Sequence, residues 1–216
     1  MLRRHQSLAA GLLVAAMSVP AVASAQSFKP KSAGDFMIRG RALAIVPDES
    51  SSVEAINGDV DVDKAFTGEV DFSYFATDNI AVELIAATAN HDVKLEDSAA
   101  GDLDLGDVWL LPPTLTAQYH FMPKSRFSPY IGAGVNFTAF FGADSGQADD
   151  IDYENSVGPA FQFGFDYALD GPWSFNLDVK KLFINSDVEV EALGTTVDAD
   201  VDINPWVVGV GLAYRF

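Results

Sequence analysis

Cysteine is absent from the 216 residues, basic residues are scarce, and beyond residue 25 no apolar run is long enough for a membrane-spanning helix. The missing cysteines exclude a disulfide scaffold. The 13 lysines and arginines face 31 acids, and the resulting net charge of −18 argues against nucleic acid as a partner. A spanning helix needs a run of about 18 or more apolar residues, so none is expected.

The first 25 residues have the three parts of a secretory signal peptide. Arg3 and Arg4 form a positive start, residues 8–22 form an apolar run, and Ala23-Ser24-Ala25 offers small side chains for cleavage. The run is short and ends in a cleavage motif, which favours a signal peptide over a membrane anchor. We predict a cleaved leader over residues 1–25 and one domain over 26–216, whose charge is −20 once the two arginines are removed.

The remaining chain is apolar for an exported protein. Hydrophobic residues make up 49% of the sequence and aromatic residues 12%, and there are 17 glycines. Without disulfides or a spanning helix, such a chain must bury its apolar residues in a core or turn them toward lipid. Two architectures remain, a transmembrane β-barrel and a periplasmic β-sandwich.

Eight segments alternate apolar and polar residues with a period of two, as strands with two different faces do. In one of them Phe72 and Tyr74 share a face, and Asp71 and Ser73 share the other. The segments are residues 35–46, 64–76, 80–90, 111–122, 128–141, 157–169, 173–184 and 203–216. Each is long enough for a tilted membrane strand, which needs about 9–11 residues.

The connections between these segments alternate in length. The short ones are residues 77–79, 123–127 and 170–172, and the long ones are 47–63, 91–110, 142–156 and 185–202. Short turns on one side and long loops on the other are typical of outer-membrane barrels. Valines alternate with acids at residues 60–63, 188–191 and 197–202, which predicts strands that continue above the membrane.

Aromatic side chains cluster beside the short turns. They are Phe72, Tyr74, Tyr119, Phe121, Tyr130, Phe165, Tyr167, Trp173, Tyr214 and Phe216. Such rings form an interfacial girdle in membrane barrels, whereas a soluble lipocalin-like barrel would turn its aromatic faces inward. We therefore predict an all-β fold, an eight-stranded antiparallel transmembrane β-barrel with short periplasmic turns and long extracellular loops.

The end of the chain agrees with this fold. Residues 208–216 alternate strictly and finish with Tyr214 and Phe216 on the apolar face. This ending resembles the C-terminal sorting strand of bacterial outer-membrane proteins, which implies contact with the barrel-assembly machinery during insertion. We expect the protein in the outer membrane of a Gram-negative cell, among lipid and lipopolysaccharide.

Several ordered motifs resemble those of the outer membrane protein W family. They are residues 33–39, 77–88, 111–119, 128–138, 203–207 and 211–216. The resemblance implies a monomeric eight-stranded barrel with a proposed role in passing small hydrophobic molecules inward. It also implies an apolar constriction in the lumen, to which Ile85 corresponds. The facing position, aromatic in the family, is Lys180 here.

Strand parity predicts which side chains face the lumen. They are Arg39, Arg41, Glu69, Asp71, Glu83, Ile85, Gln118, His120, Asn136, Gln162, Asp166, Asn176, Asp178, Lys180 and Arg215. Buried charges need partners, so we expect an ion-pair network of Arg39, Arg41, Glu69, Asp71 and Arg215. This network would block the periplasmic half of the lumen and exclude a wide aqueous pore.

An apolar path and a sideways exit are the features a hydrophobic solute would need. Parity suggests a path past Leu43, Ile45, Ile85, Ala87 and Phe140. Lys180, with Glu83 or Asp178 as partner, interrupts a fully apolar gate made by Leu43 and Ile85. The alternative is that Lys180 favours an amphipathic or anionic solute. Because proline cannot donate to a β-ladder, Pro112, Pro113, Pro159 and Pro205 are candidates for a lateral exit. The alternative is that these prolines only end strands.

Other chemistry finds little support in the sequence. The mature chain has two histidines. Asp92 follows His91 and would point to the opposite face of a strand, and His120 has no obvious nucleophile beside it, so we expect no enzyme and no cofactor. Asp144, Asp149, Asp150, Asp152 and Glu154 could hold a hard cation, but their spacing does not fit an EF-hand, and solvated acids are the simpler interpretation. A second function stays open, a structural or receptor barrel whose acidic loops bind partners or cations without transport.

Overall fold

The computed structural model describes residues 28–48, 50–52, 59–62, 64–96, 103–142, 150–192 and 195–216. Within these ranges the chain has no helix that is long and apolar enough to cross a membrane. The expected leader, residues 1–25, lies outside the described residues, so its cleavage stays a prediction.

Strands make up most of the described chain. In chain order they are β1 (Phe36–Val46), β2 (Ser50–Ser52), β3 (Asp59–Val62), β4 (Ala65–Phe75), β5 (Ile80–Ala87), β6 (Ala89–Glu96), β7 (Leu103–Leu111), β8 (Thr114–His120), β9 (Phe127–Phe141), β10 (Asp150–Tyr153), β11 (Ser156–Ala168), β12 (Trp173–Leu182), β13 (Asn185–Ala192), β14 (Thr195–Asp202) and β15 (Trp206–Arg215). Eight of them, β1, β4, β5, β8, β9, β11, β12 and β15, correspond to the eight predicted segments.

These eight strands close into an antiparallel barrel. Their order is β11-β12-β15-β1-β4-β5-β8-β9, and β9 pairs back onto β11. Closure satisfies the backbone of both outer strands and leaves no edge. The predicted eight-stranded barrel is confirmed. We call the end of the barrel with the short connections the turn side and the end with the long connections the loop side.

The two faces of the wall have opposite polarity. In β8 the side chains of Thr116 and Gln118 are buried in the lumen, whereas those of Leu115 and Tyr119 are about half exposed on the outside. The same alternation runs through β1, β4 and β5. A polar interior with an apolar exterior is the reverse of a water-soluble domain and is typical of a membrane barrel.

Rings on the outer wall pack beside the short turns. Tyr214 lies 5.0 Å from Trp173 and 4.9 Å from Phe216 between ring centroids, and Tyr119 lies 5.1 Å from Phe121. These contacts form the girdle that the sequence predicted, with one exception. The ring of Tyr130 lies inside the barrel.

The remaining strands extend the wall on the loop side. β7, β6 and β3 continue from β9, and β10, β13, β14 and β2 form a second sheet. In this second sheet Val188 and Val201 are buried, whereas Glu189 and Asp200 are exposed. Strands at residues 59–62, 185–192 and 195–202 confirm that the valine–acid alternation continues the strands beyond the barrel.

Residues 28–35, here called the N-terminal strap, cross the turn side of the barrel. Phe28 is buried and forms a bridge with Gly171. The backbone N–H of Lys31 donates to the carbonyl of Pro123 at 2.9 Å, and that of Gly34 donates to Phe75 at 2.8 Å. These bonds fix the strap across the mouth of the lumen.

Candidate functional site

Two arginines of β1 form the centre of the lumen on the turn side. Arg39 Nη1 lies 2.9 Å from Asp71 Oδ1 and 3.2 Å from Glu83 Oε1, and its Nη2 lies 3.1 Å from Asp166 Oδ2. Arg41 contacts Asp71 and lies 3.1 Å from Glu83. All five side chains are buried. Each charge meets opposite charges, which offsets the loss of hydration.

Neutral side chains complete the network around Glu83. Gln118 and Gln162 donate to Glu83 Oε2 at 2.7 and 2.8 Å, and Thr116 donates to the same atom at 3.2 Å. The sequence suggested Glu83 as a gate residue or as the partner of Lys180. The structure instead places it within this charged layer.

Tyr130 reaches across the lumen, so its assignment to the aromatic girdle was wrong. Its side chain is 1% exposed, and its hydroxyl donates to Asp178 Oδ2 at 2.7 Å. Asn176 Nδ2 donates to Tyr130 Oη at 3.1 Å and to Asp166 Oδ1 at 2.8 Å. Gly164 makes room for the ring, because a Cβ there would lie 2.8 Å from Tyr130 Oη.

Arg215 lies outside the network in which it was predicted. The antiparallel register of β15 against β1 places Ala213, not Arg215, opposite Arg39. Arg215 is therefore nearer the turn side, where its Nη1 lies 3.4 Å from Asp35 Oδ2 and its Nη2 donates to the carbonyl of Lys29. It holds the strap rather than the central ion pairs.

Lys31 of the strap inserts into the lumen from the turn side. Its Nζ lies 2.9 Å from Asp166 Oδ2, 2.7 Å from Ser128 Oγ and 3.1 Å from His120 Nδ1. Burial lowers the pKa of Lys31 to about 8, although Asp166 opposes the shift. The strap and the ion pairs together fill this half of the lumen. Sequence reasoning assigned no role to Lys31.

The loop-side half of the lumen is an apolar cavity. It comprises about 580 Å³ of space, with the open mouth included. Four residues of the predicted path line it, namely Leu43, Ile45, Ile85 and Ala87. The fifth, Phe140, stacks on Tyr153 with ring centroids 5.6 Å apart. The other apolar lining residues are Ala89, Leu110, Pro112, Leu182, Ile184, Ile203, Pro205 and Val207.

Glu69 and Lys180 form a polar floor between the cavity and the charged layer. Lys180 Nζ lies 2.9 and 3.0 Å from the two carboxylate oxygens of Glu69, and 3.0 Å from Asp178 Oδ1. Asp178 was one of the two partners expected for Lys180, whereas Glu69 was not. β12 and β4 lie three strands apart around the barrel, so the contact with Glu69 crosses the lumen.

The β-ladder is interrupted beside the cavity. Pairing of β5 with β8 ends at Ile85 opposite Thr114, and pairing of β6 with β7 resumes at Ala89 opposite Leu110 in the same register. Pro112 and Pro113 occupy the interval, and their carbonyls accept hydrogen bonds from the β9 side. Since proline has no N–H, they offer no donor toward the other strand.

Pro159 and Pro205 do not interrupt pairing in this way. The carbonyl of Pro159 accepts from Phe183 at 3.1 Å, and that of Pro205 accepts from Leu182 at 3.2 Å. Pro159 is exposed and is not one of the described residues that line the cavity, whereas Pro205 is buried and lines it. Among the candidates for a lateral exit, Pro112 and Pro113 are the pair beside the interrupted ladder.

The two histidines lie in different halves of the lumen, and the structure describes only part of the acidic loop. His120 lies in the turn-side lumen, and His91 lines the cavity, with Asp92 exposed on the opposite face as strand parity predicted. Within the described ranges no group of three or more histidine or acidic side chains could hold a metal. Asp152 and Glu154 are exposed, but Asp144, Asp149 and the side chain of Asp150 lie outside the described part.

Comparisons with known proteins agree with this architecture. The model of the OmpW family matches residues 32–216. An uncharacterised outer-membrane protein, y4mB of Sinorhizobium fredii, is 39% identical over 212 residues, which is 96% of this chain and 91% of the relative. Outer membrane protein W of Escherichia coli is 34% identical and aligns over 95% of this chain and 99% of its own.

A solved structure and a more distant relative extend the comparison. The crystal structure of OprG from Pseudomonas aeruginosa superposes with a TM-score of 0.81 at 34% identity, covering 87% of this chain and 98% of that one. The dibenzothiophene metabolism operon protein PahQ of Pseudomonas aeruginosa is 24% identical over 68% of this chain and 69% of its own.

Proposed function

This chain belongs to the OmpW family of outer-membrane barrels, and from that premise we propose that it passes small hydrophobic molecules through its loop-side cavity and sideways into the outer membrane. A lipopolysaccharide leaflet is polar and bridged by divalent cations, so it resists apolar solutes. A protein path that begins above this leaflet and opens below it would bypass the barrier.

The observation that carries the proposal is the position of the interrupted ladder. It lies beside an apolar cavity in the loop-side half of the lumen, which is closed below by buried ion pairs. A closed barrel wall satisfies its backbone throughout, so a lateral opening requires a break of this kind. Ala87 and Pro112, on the two sides of the break, both line the cavity.

Two further facts support the same function. The strap and the network fill the turn side, which leaves the wall as the way out for a solute in the cavity. PahQ is named for an operon of dibenzothiophene metabolism, and dibenzothiophene is an apolar aromatic compound. By similarity we extend this class of solute to the present chain.

Uptake of a fluorescent apolar solute into lipopolysaccharide-containing proteoliposomes tests the proposal. We expect uptake with the wild-type barrel to exceed that of empty vesicles, and Pro112→Val/Pro113→Val to reduce it several-fold by completing the ladder. Pro159→Val is the matched control and should behave as wild type. Folding of each variant is checked by the gel mobility of unheated samples.

Each outcome decides one part of the proposal. Unchanged uptake in the folded double variant would reject the lateral exit but keep transport. Uptake no faster than in empty vesicles would reject transport and favour a structural or receptor barrel that acts through its acidic loops.

A further inference from the structure

We propose that the cavity floor selects apolar molecules that carry one hydroxyl group, such as alcohols and phenols, over hydrocarbons and carboxylates of the same shape. This inference rests on the proposed function and names its substrate class. It is carried by the hydrogen-bonding capacity of Glu69 and Lys180, the two charged residues among the described residues that line the cavity.

Glu69 and Lys180 stand at the end of a mostly apolar chamber, whose other described polar lining residues are Thr88, His91 and Thr114. Their side chains are 2% and 3% exposed, so bulk water does not surround them. Ile85, Leu43 and Val207 line the cavity around them. A solute that fills the chamber must place one end against this ion pair.

The carboxylate of Glu69 has an acceptor position to spare. Its Oε1 accepts from Lys180 and lies 2.7 Å from Arg41 Nε, and its Oε2 accepts from Lys180 alone among the described residues. An ionised carboxylate offers about four lone-pair positions, so Oε2 can accept one more donor. Hydrogen bonds to a charged acceptor are stronger than neutral ones.

The third hydrogen of the Lys180 ammonium group is held less firmly than the other two. Two of its hydrogens serve Glu69. Asp178 Oδ1 lies 3.0 Å from Nζ as an ion-pair partner, but it accepts no hydrogen bond of regular geometry. A lysine carries three donors, so a solute hydroxyl can compete with Asp178 for the third, beside the acceptor of Glu69. A hydroxyl, which both donates and accepts, fits this pair.

Other head groups fit the floor less well. A carboxylate would lose its hydration in the apolar chamber and then meet Glu69 and Asp178, which have the same sign. A hydrocarbon would leave the second acceptor position of Oε2 unused, whereas a hydroxyl would fill it. The floor therefore selects solutes by their polar head group, whereas the apolar wall accepts apolar groups of different shapes.

Three fluorescent solutes with one ring system test the inference, namely naphthalene, 1-naphthol and 1-naphthoate. Their uptake into proteoliposomes at pH 7 is divided by uptake into empty vesicles, which removes differences in lipid permeability. We expect the wild-type ratio for 1-naphthol to exceed the other two about tenfold, the value of one hydrogen bond to a charged group. Equal ratios for naphthalene and 1-naphthol would overturn the inference, and ratios near one for all three would overturn the proposed function instead.

The double variant Glu69→Leu/Lys180→Leu tests whether the floor causes the preference for 1-naphthol. It removes one charge of each sign, so the preference for 1-naphthol should disappear while naphthalene uptake stays. The matched control is Asp48→Leu/Lys181→Leu, a neighbouring ion pair of 2.8 Å outside the lumen, which should keep the preference. A preference that persists in the folded floor variant would refute the assignment, and if that variant does not fold, the wild-type ratios decide.

Discussion

The two halves of the lumen are built on the same strands but hold opposite chemistry. On β1, Arg39 and Arg41 face inward on the turn side, and Leu43 and Ile45 face inward on the loop side. The change from charged to apolar occurs between two successive inward positions. One half is filled by ion pairs and the other holds an apolar cavity. Under the proposed function, the apolar half admits the solute and the charged half blocks water and ions.

Under the proposed function, the contrast between the two halves also indicates where a solute would leave the lumen. Hydrated ions do not follow an apolar wall, and apolar molecules do not displace a compensated ion-pair network. The interrupted ladder beside Pro112 lies next to the cavity. The interruption thus adjoins the apolar half of the barrel, not the charged half.

The charged half should be the more sensitive to loss of one residue. Arg39→Met leaves Asp71, Glu83 and Asp166 short of a cation, and we expect a loss of about 3–5 kcal/mol in the free energy of unfolding. Equilibrium unfolding in urea from lipid vesicles at pH 7 measures it. Arg126→Met, on a half-exposed turn residue, is the control and should cost about 1 kcal/mol or less. Equal costs would mean that the network is hydrated.

Lys31 should hold the strap across the charged half. Lys31→Met removes the contact with Asp166, which keeps Arg39 as a partner, so we expect a smaller loss of about 1–3 kcal/mol. The strap should become open to proteolysis, whereas the ion pairs of Arg39 and Arg41 should still keep the lumen closed to small ions in planar bilayers. Lys64→Met, an exposed residue before β4, is the control. Unchanged protease resistance would show that Lys31 does not hold the strap.

Much of the barrel could be predicted from the sequence because lipid and lumen impose a period of two on every strand. One of the largest differences at a strand end has a local cause. β8 begins at Thr114 instead of residue 111, because Pro112 and Pro113 cannot join the ladder. Tyr130 was wrongly assigned to the outer face, although the alternation along its strand indicated the inner one. It shares a strand face with Ser128, Asn136 and Thr138, which are polar.

Contacts across the lumen could not be predicted in the same way. Parity shows that Lys180 faces inward but not that it reaches Glu69, because the partner depends on barrel diameter and shear. Arg215 has the correct parity, yet the register of β15 moves it to Asp35. Lys31 lies before the first strand, where no periodicity marks its direction.

The apolar half should tolerate truncation better and respond in transport. Ile85 is 3% exposed but borders an existing cavity, so Ile85→Ala should cost about 1–2 kcal/mol, less than in a close-packed core. The wider chamber should speed apolar uptake into proteoliposomes. Leu84→Ala, which faces outward, is the control and should leave uptake unchanged. Slower uptake in Ile85→Ala would contradict a path through this chamber.

The smallest effect is expected above the barrel, where acids face acids instead of arginines. Asp187 and Asp200 lie directly opposite on β13 and β14, and the hydrogen bond and repulsion from Asp187 raise the pKa of Asp200. A carboxyl whose pKa is raised on folding stabilises the hairpin below that pKa and loses this contribution as the pH rises through it. Amide hydrogen exchange in β13 and β14 should therefore be slower at pH 4 than at pH 7, after correction for intrinsic rates. Asp200→Asn should remove this difference in exchange rate. Asp170→Asn on the turn side is the control and should keep it. A difference that survives in Asp200→Asn would assign the pH dependence to other groups.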